Sequence, residues 1–144
     1  MTFKYQEYID NLSIQCPPSE YLPKELQAFR FVFDASDQHS KNNFLPVLII
    51  KPSRQLNHTP AARCQGYALS LFDTKENAEK RYSQLIKKRS TLPKSLGTHL
   101  AKGFIDSTDG LASEVDENGH FSLHEFANVD LSQNFNIVAA LSRG

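Results

Sequence analysis

The chain reads Gly66-Tyr67-Ala68-Leu69-Ser70-Leu71-Phe72-Asp73-Thr74-Lys75-Glu76 and continues to Arg89 with a spaced series of apolar residues. The run from Tyr67 to Phe72 is short and mostly apolar, which predicts a strand. The following Asp73-Thr74-Lys75-Glu76 has the form of a capping box, which predicts the start of a helix. We therefore expect a strand that passes directly into a capped helix.

That helix is predicted over residues 74–89, with one apolar face. Its acidic residues lie near the start and Lys87-Lys88-Arg89 at the end, which complements the helix dipole. The spacing of four further residues places them on one side of the helix, where they would pack on a sheet. These residues are Ala78, Tyr82, Leu85 and Ile86.

Other short runs predict the remaining strands. The segment Phe29-Arg30-Phe31-Val32-Phe33 alternates with a period of two, so its three Phe residues share one face and Arg30 and Val32 the other. Residues 45–51 are almost continuously apolar, which favours a buried central strand. Residues 98–105 and 135–141 complete the set, and Asn118-Gly119 is typical of a hairpin turn.

The pattern predicts a single α+β domain over residues 1–144, with a mixed or antiparallel sheet of about five or six strands. A short N-terminal helix at residues 3–13 and a proline-rich connector at 14–23 would precede an α+β core at 24–144. The helix would cover one sheet face; the polar reverse face and a loop at 52–62 would form the working surface. The predicted core, besides the helix residues, is Phe29, Phe31, Phe33, Val47, Leu48, Ile49, Ile50, Leu69, Leu71, Phe104, Phe121, Leu123 and Ile137.

Composition narrows the class of protein. The 144 residues carry no net charge, which removes the general basic field that favours nucleic-acid binding. The longest apolar run, Val47 to Ile50, is far shorter than the roughly 20 residues of a membrane-spanning helix. Cys16 and Cys64 lie in no zinc-binding pattern, and the first residues do not resemble a secretion signal. We expect free thiols in a cytoplasmic protein.

Charge is nevertheless uneven along the chain. Residues 75–102 carry eight basic and two acidic side chains, whereas residues 103–142 carry seven acidic and no basic ones. The two groups are expected to pair across the fold or to remain solvated, and the basic segment could instead meet an acidic partner. RNA is one such acidic partner, although the sequence gives no strong nucleic-acid signal. A protein partner is therefore predicted, with no membrane partner and no prediction of oligomeric state.

Residues 114–125 resemble the calcium loop of an EF-hand. Oxygen-bearing side chains occupy its first, third, fifth and twelfth places, as Glu114, Asp116, Asn118 and Glu125, and Gly119 occupies the sixth. The family uses Asp at the first place, and no entering helix precedes this loop. The other interpretation is a plain hairpin, for which no metal is expected.

Arg30 lies on an early predicted strand, Ser70 on the strand that leads directly into the capped helix, and Glu125 on a later strand. This order resembles that of ADP-ribosyltransferases. The resemblance implies that Arg30 would hold the phosphates or ribose of NAD, Ser70 would shape the nicotinamide cleft, and Glu125 would bond the ribose hydroxyl. The serine motif lacks its second hydroxyl, and Leu123 stands where arginine-modifying members carry an acid.

The five histidines give no clear metal site. His120 and His124 would share a face of a strand, but about 13 Å apart by strand rise, too far for one zinc ion. Without a complete catalytic set, the sequence predicts a non-catalytic interaction or accessory module that needs no cofactor. The alternative is an NAD-dependent enzyme that uses Arg30, Ser70 and Glu125.

Overall fold

The computed structural model describes residues 2–91 and 93–141, and it confirms an α+β fold. Both ends of the predicted 1–144 domain lie outside these residues. The strands are β1 Leu26–Val32, β2 Leu69–Phe72, β3 His99–Ile105, β4 Gly110–Ala112, β5 His120–Glu125 and β6 Asn136–Ala140. The helices are α1 Gln6–Asp10, α2 Val47–Ile50, α3 Pro60–Gly66, α4 Lys75–Lys88 and α5 Pro93–Leu96.

The six strands form one antiparallel sheet in the order β4-β5-β2-β1-β3-β6. The longest ladder joins β1 to β3, from Leu26 opposite Ile105 to Val32 opposite His99. Strand β2 lies between β1 and β5, with Ser70 opposite Ser122. The strands predicted at 29–33, 67–72, 98–105 and 135–141 are therefore present, with shifted ends.

Apolar side chains cover both faces of the sheet. One face, here called the helix face, carries Phe29, Phe31, Phe72 and Leu100 against α4. The opposite face, here called the Phe121 face, packs Phe121 and Leu123 with other strand residues against Leu131 and Phe135. The expectation of a polar reverse face was wrong, because the chain after β5 folds back over it.

Helix α4 confirms the helix predicted at 74–89. Ala78, Tyr82 and Ile86 are buried, and Leu85 is half-buried at the edge of the same face. The cap differs in detail, because the Thr74 hydroxyl accepts the Asn77 amide at 3.0 Å and no carboxylate from Glu76 takes part. The Asn77 side chain instead bonds Asp73 at 3.0 Å.

The strand predicted at residues 45–51 is wrong, since Val47–Ile50 forms α2. Pro46 supplies the N-cap, and only one side of this helix is covered: Leu48 is 1% exposed, whereas Ile50 is 37% exposed. A short apolar run does not distinguish a strand from a helix by periodicity. Leu48 packs against Gly66, where a Cβ would lie 2.5 Å from its side chain.

The loop predicted at residues 52–62 is also largely wrong. It contains a 3₁₀ segment at Pro52–Asn57 and the start of α3, where the Thr59 hydroxyl accepts the Ala62 amide at 3.2 Å. Proline at the first position of a helix loses no hydrogen bond, so Pro60 is compatible with this start. The N-terminal helix exists, but α1 is shorter than the predicted 3–13.

Cys16 and Cys64 form a disulfide, which corrects the expectation of free thiols. The bond joins the connector after α1 to α3, and its two cysteines are 48 positions apart in sequence. Nothing in the spacing of the two cysteines indicated this contact, because it depends on how α1 and α3 pack on the sheet.

Four predicted core residues are substantially exposed: Val47, Ile50, Phe104 and Ile137. Phe104, on β3, is 53% exposed, and Ile137, on the edge strand β6, is 42% exposed. Among the residues described, no ion pair links the basic residues of α4 to the acidic segment that follows β3. No helix in residues 2–91 and 93–141 has the length and apolar character needed to span a membrane.

Candidate functional site

Glu125 ends β5 on the Phe121 face, and the fold buries it to 3% exposure. Its Oε2 accepts a hydrogen bond from Lys4 Nζ at 3.0 Å. The same ammonium also donates to the carbonyl oxygen of Val129. The carboxylate thus has one charged partner, on one of its two oxygens.

The N-terminal segment positions Lys4 by backbone pairing. The Lys4 amide donates to the Glu125 carbonyl at 2.9 Å, and Phe3 bridges to Phe126 in antiparallel fashion. Two residues that are 121 positions apart are therefore held side by side as neighbouring strands would hold them. The ion pair is a direct consequence of this register.

The second oxygen of this carboxylate has no hydrogen-bond partner in the described part of the chain. Glu125 Oε1 is buried, and it is one of only two such side-chain atoms there, the other being His58 Nδ1. A buried oxygen without a partner costs free energy unless water or a ligand satisfies it. This atom therefore indicates a place where a hydrogen-bond donor would bind.

A cavity of about 380 Å³ lies against Glu125. This volume falls within the range of small-molecule sites. Its wall contains both apolar and polar residues, and two of them are lysines. Its lining is Lys4, Tyr5, Ser40, Lys41, Phe44, Leu45, Glu125, Asp130, Leu131 and Ser132.

A second cavity of about 620 Å³ lies between the loop after β1 and α5. Phe33 and Pro93 are its buried lining residues, and its polar lining residues, which include Asp37 and Lys94, are exposed or half-buried. It therefore lacks the buried polar group that distinguishes the cavity at Glu125.

Burial perturbs the titratable groups around Glu125. It raises the pKa of the Glu125 carboxyl, and the hydrogen bond and charge of Lys4 oppose that rise. Burial, followed by the negative charge of Glu125, raises the pKa of the Tyr5 hydroxyl to about 12. Burial lowers the pKa of Arg30 to about 10, again against the opposing charge of Glu125. Glu125, Tyr5 and Arg30 thus have shifted pKa values and interact with one another electrostatically. Shifted pKa values of this kind are common at functional sites.

Arg30 is bound by main-chain carbonyl oxygens. Its Nε donates to Asn43 at 2.6 Å, its Nη1 to Ser70 at 2.9 Å and its Nη2 to Leu45 at 3.2 Å. Three of the five N–H donors of the guanidinium are thus used. Arg30 supports the cavity wall by fixing residues 43–45, two of which line the cavity.

The Ser70 side chain lies on the opposite face of the sheet from Glu125. Leu69 and Leu71 belong to the Phe121 face, so alternation directs Ser70 to the helix face. There its Oγ lies 2.6 Å from His120 Nε2, and His120 Nδ1 lies 3.9 Å from an Asp116 carboxylate oxygen. Burial lowers the pKa of His120, and Asp116 opposes this effect.

The structure therefore brings together two of the three residues that the ADP-ribosyltransferase resemblance selected. Arg30 and Glu125 share the Phe121 face and interact electrostatically. Ser70 contributes only its carbonyl oxygen to Arg30. The hydroxyl of Ser70 belongs instead to a pair with His120 that sequence reasoning missed, because the pairing of β2 with β5 creates it.

No family model, no curated protein and no solved structure matches this chain.

The four oxygen ligands of the EF-hand resemblance do not gather. Asp116 accepts the amides of Asn118 and His120 at 2.8 and 3.0 Å, which closes a hairpin turn with Gly119 at a φ of 79°. Glu125, at the end of β5, forms an ion pair with Lys4 instead. This part of the chain is the hairpin that the alternative interpretation predicted.

Another group of potential metal ligands does assemble. Within the described residues, Cys16, Cys64 and His124 form the one cluster whose ligand atoms all lie within 4.8 Å of one another. Burial lowers the pKa of His124 to about 4, so its imidazole is neutral at pH 7. The sequence contained these three residues, but their positions along the chain gave no sign of the contact.

Proposed function

We propose that this protein is a non-catalytic binding module that takes a small, hydroxyl-bearing anionic molecule into the cavity at Glu125. The observation that carries the proposal is the buried Glu125 Oε1, which has no partner and belongs to a residue that lines a cavity of suitable size. A hydroxyl or N–H group of a ligand would satisfy that oxygen without disturbing the bond to Lys4. A charge-assisted hydrogen bond of this kind is among the stronger polar contacts.

The anionic part of the ligand is inferred from the cationic side chains of the cavity. Lys41 is exposed and Lys4 is partly exposed, so both can approach a phosphate or carboxylate. Ser40 and Ser132 add hydroxyl groups. Nucleotides combine sugar hydroxyls with phosphate, so they are suitable first probes, with ADP-ribose and NAD among them.

Titration calorimetry with ADP-ribose and with NAD tests this proposal. We expect Glu125→Gln to weaken binding about 10- to 100-fold, because a hydrogen bond to a charged group is lost. Glu117→Gln, in the exposed β4–β5 hairpin, is the matched control and should bind as the wild type does. Absence of binding to both compounds, or equal affinity in the two variants, would contradict the proposal.

The second candidate is an NAD-dependent ADP-ribosyltransferase-like enzyme. It is supported by Arg30 and Glu125 on one face of the sheet, of which Glu125 lines the same cavity. A carboxylate can stabilise a positive charge that develops on the ribose. Arg30 is less available for phosphate than the resemblance implies, since carbonyl oxygens hold most of its donors.

Release of nicotinamide from NAD separates the two functions. A binding module would bind NAD and leave it intact over hours. An enzyme would consume it, and Glu125→Ala would abolish consumption whereas Ser70→Ala would leave it largely unchanged, because the Ser70 hydroxyl is directed away from the cavity. Unchanged turnover in Glu125→Ala would remove the enzyme candidate.

The protein partner and the cytoplasmic location remain predictions. Edge strand β6 supports a partner, since Ile137 and Val138 are 42% and 49% exposed on a strand that can accept a further strand. The Cys16–Cys64 disulfide favours an oxidising compartment instead of the cytoplasm. Fractionation of the native cell would decide the location.

A further inference from the structure

The Cys16–Cys64 disulfide has a histidine beside both of its sulfur atoms. His124 Nε2 lies 3.8 Å from Cys16 Sγ and 3.6 Å from Cys64 Sγ. Three different parts of the fold supply the cluster: the connector after α1, helix α3 and strand β5. The ring of His124 is further held by an edge contact with Phe3 and a tilted contact with Tyr21.

These distances are close to those of a zinc site. With Zn–S of about 2.3 Å and Zn–N of about 2.0 Å, tetrahedral geometry places a sulfur and a nitrogen ligand about 3.5 Å apart. The two sulfur–nitrogen distances already have this size. Only the two sulfurs have to separate, to about 3.8 Å, which reduction of their bond permits.

The ligand types select the metal. Two thiolates and one imidazole form a soft to borderline set, which favours zinc over magnesium or calcium. His124 is 2% exposed and Cys64 is 2% exposed, so the site is enclosed on the protein side. Cys16 is half-buried and gives the ion a route of entry. Three protein ligands leave a fourth position for water, as in zinc sites that remain reactive.

We propose that the reduced chain binds one Zn²⁺ through Cys16 Sγ, Cys64 Sγ and His124 Nε2, so that disulfide and zinc are alternative staples at one site. A dithiol reductant breaks the S–S bond, transfers two hydrogens to the sulfurs and leaves as its own disulfide. Zn²⁺ then displaces two protons to form two zinc–thiolate bonds, and Nε2 donates its lone pair. Reoxidation of the thiolates by a disulfide oxidant releases the ion.

In either state, the site fixes α3 and the N-terminal connector to β5. Without zinc, reduction would leave these segments attached by noncovalent contacts alone. These include the cluster around Ile9, Leu48 and Tyr67 and the backbone pairing of Leu22 with Ala112. With zinc, three elements stay joined under reducing conditions. The site is independent of the Glu125 cavity, because His124 lies on the other face of β5.

Zinc binding to the full chain is measured by calorimetry after reduction with a phosphine, since dithiols bind zinc themselves. We expect one ion per reduced chain and none for the oxidised chain. Cys16→Ala/Cys64→Ala should abolish binding, and His124→Gln should weaken it by at least about 10- to 100-fold, the cost of altering even a residue that only supports a ligand. His120→Gln, four positions away on the same strand, is the matched control and should retain full affinity.

Substitution with cobalt(II) gives a second measurement that needs no variant. Thiolate-to-cobalt charge transfer and a tetrahedral ligand-field spectrum are expected in the reduced wild type and should disappear on reoxidation. The proposal is overturned if the reduced wild type gives neither signal. It is also overturned if the double cysteine variant binds zinc as tightly as the wild type, because the ion would then sit elsewhere.

Discussion

Glu125 is a carboxyl group that the fold buries while satisfying only one of its two oxygens. Its ion pair with Lys4 depends on an antiparallel contact made by the first residues of the chain, which no local pattern announces. Glu125 was a candidate from the sequence only through the two family resemblances. Its neighbours Lys4 and Tyr5 could not be identified from the sequence, since contacts between residues so far apart in the chain follow from strand pairing.

Removing the Lys4 ammonium should destabilise the fold, because the buried Glu125 carboxylate loses its ion pair. Lys4→Met is expected to lower the free energy of unfolding by about 1–3 kcal/mol, because it leaves a buried carboxyl without its charged partner. The double variant Lys4→Met/Glu125→Gln should recover part of that loss, since no buried charge remains. Urea denaturation measures both. Lys80→Met, at an exposed position of α4, should be close to neutral, and an equal loss there would contradict this account.

The titration of His120 should follow its neighbours. Burial lowers its pKa and the charge of Arg81 lowers it further, whereas Asp116 raises it. Asp116→Asn is therefore expected to lower the pKa of His120 again, and Arg81→Gln to raise it. NMR titration of the imidazole resonances measures both shifts. A higher pKa of His120 in Asp116→Asn would contradict the attraction between His120 and Asp116 across 3.9 Å.

At the scale of elements, a helix or strand was predicted correctly where its sequence pattern lay within one short window. The β2–α4 unit was predicted because its strand alternates and its helix has both a cap and an apolar face within one short window. Helix α2 was missed because four apolar residues carry no usable period, and partial burial between α3 and solvent decided its form. Exposure of Phe104 was missed for a related reason, since alternation predicts a face but not whether anything covers it.

The hairpin before β5 is tied to the start of α4. Gly119 has a φ of 79°, and its carbonyl accepts the Asp73 amide at 2.9 Å. A Cβ at this position would lie 2.3 Å from the Asn77 amide nitrogen and 2.4 Å from an Asp73 oxygen. A substitution here would therefore disturb the turn and the helix cap at once.

Gly119→Ala is accordingly expected to lower the free energy of unfolding by about 1–3 kcal/mol, through a disfavoured φ and a clash. Thermal and urea unfolding measure the loss. The neighbouring Asn118→Ala should cost much less, because Asn118 is exposed and does not have a positive φ. Equal stability of the two variants would mean that the turn relaxes without strain.

At the scale of the molecule, the α+β class followed from the mixture of short strands and one strong helix, whereas the order of the strands did not. Pairing of β1 with β3 and of β2 with β5 joins segments far apart in the chain. The disulfide was missed for the same reason. Cysteine spacing restricts partners only when the tertiary arrangement is already known.

Reduction of the disulfide in the presence of a chelator should destabilise the molecule. Closing a loop of 48 residues reduces the entropy of the unfolded chain, which corresponds to about 4 kcal/mol in the loop-entropy model. We expect a lower melting temperature with phosphine and chelator than with chelator alone, measured by circular dichroism. Cys16→Ala/Cys64→Ala should have the melting temperature of the phosphine-treated wild type, and phosphine should not change it. No change in the wild type would contradict the prediction.

The Cys16–Cys64 disulfide would also conceal a proteolytic cleavage between the two cysteines. Arg54 is exposed within the 3₁₀ segment and lies between the two bridged positions. Trypsin acting once after this residue would yield two polypeptides that still migrate as one band on a denaturing gel. Only a gel run with mercaptoethanol would separate the fragments, so an apparently intact preparation can already be cleaved.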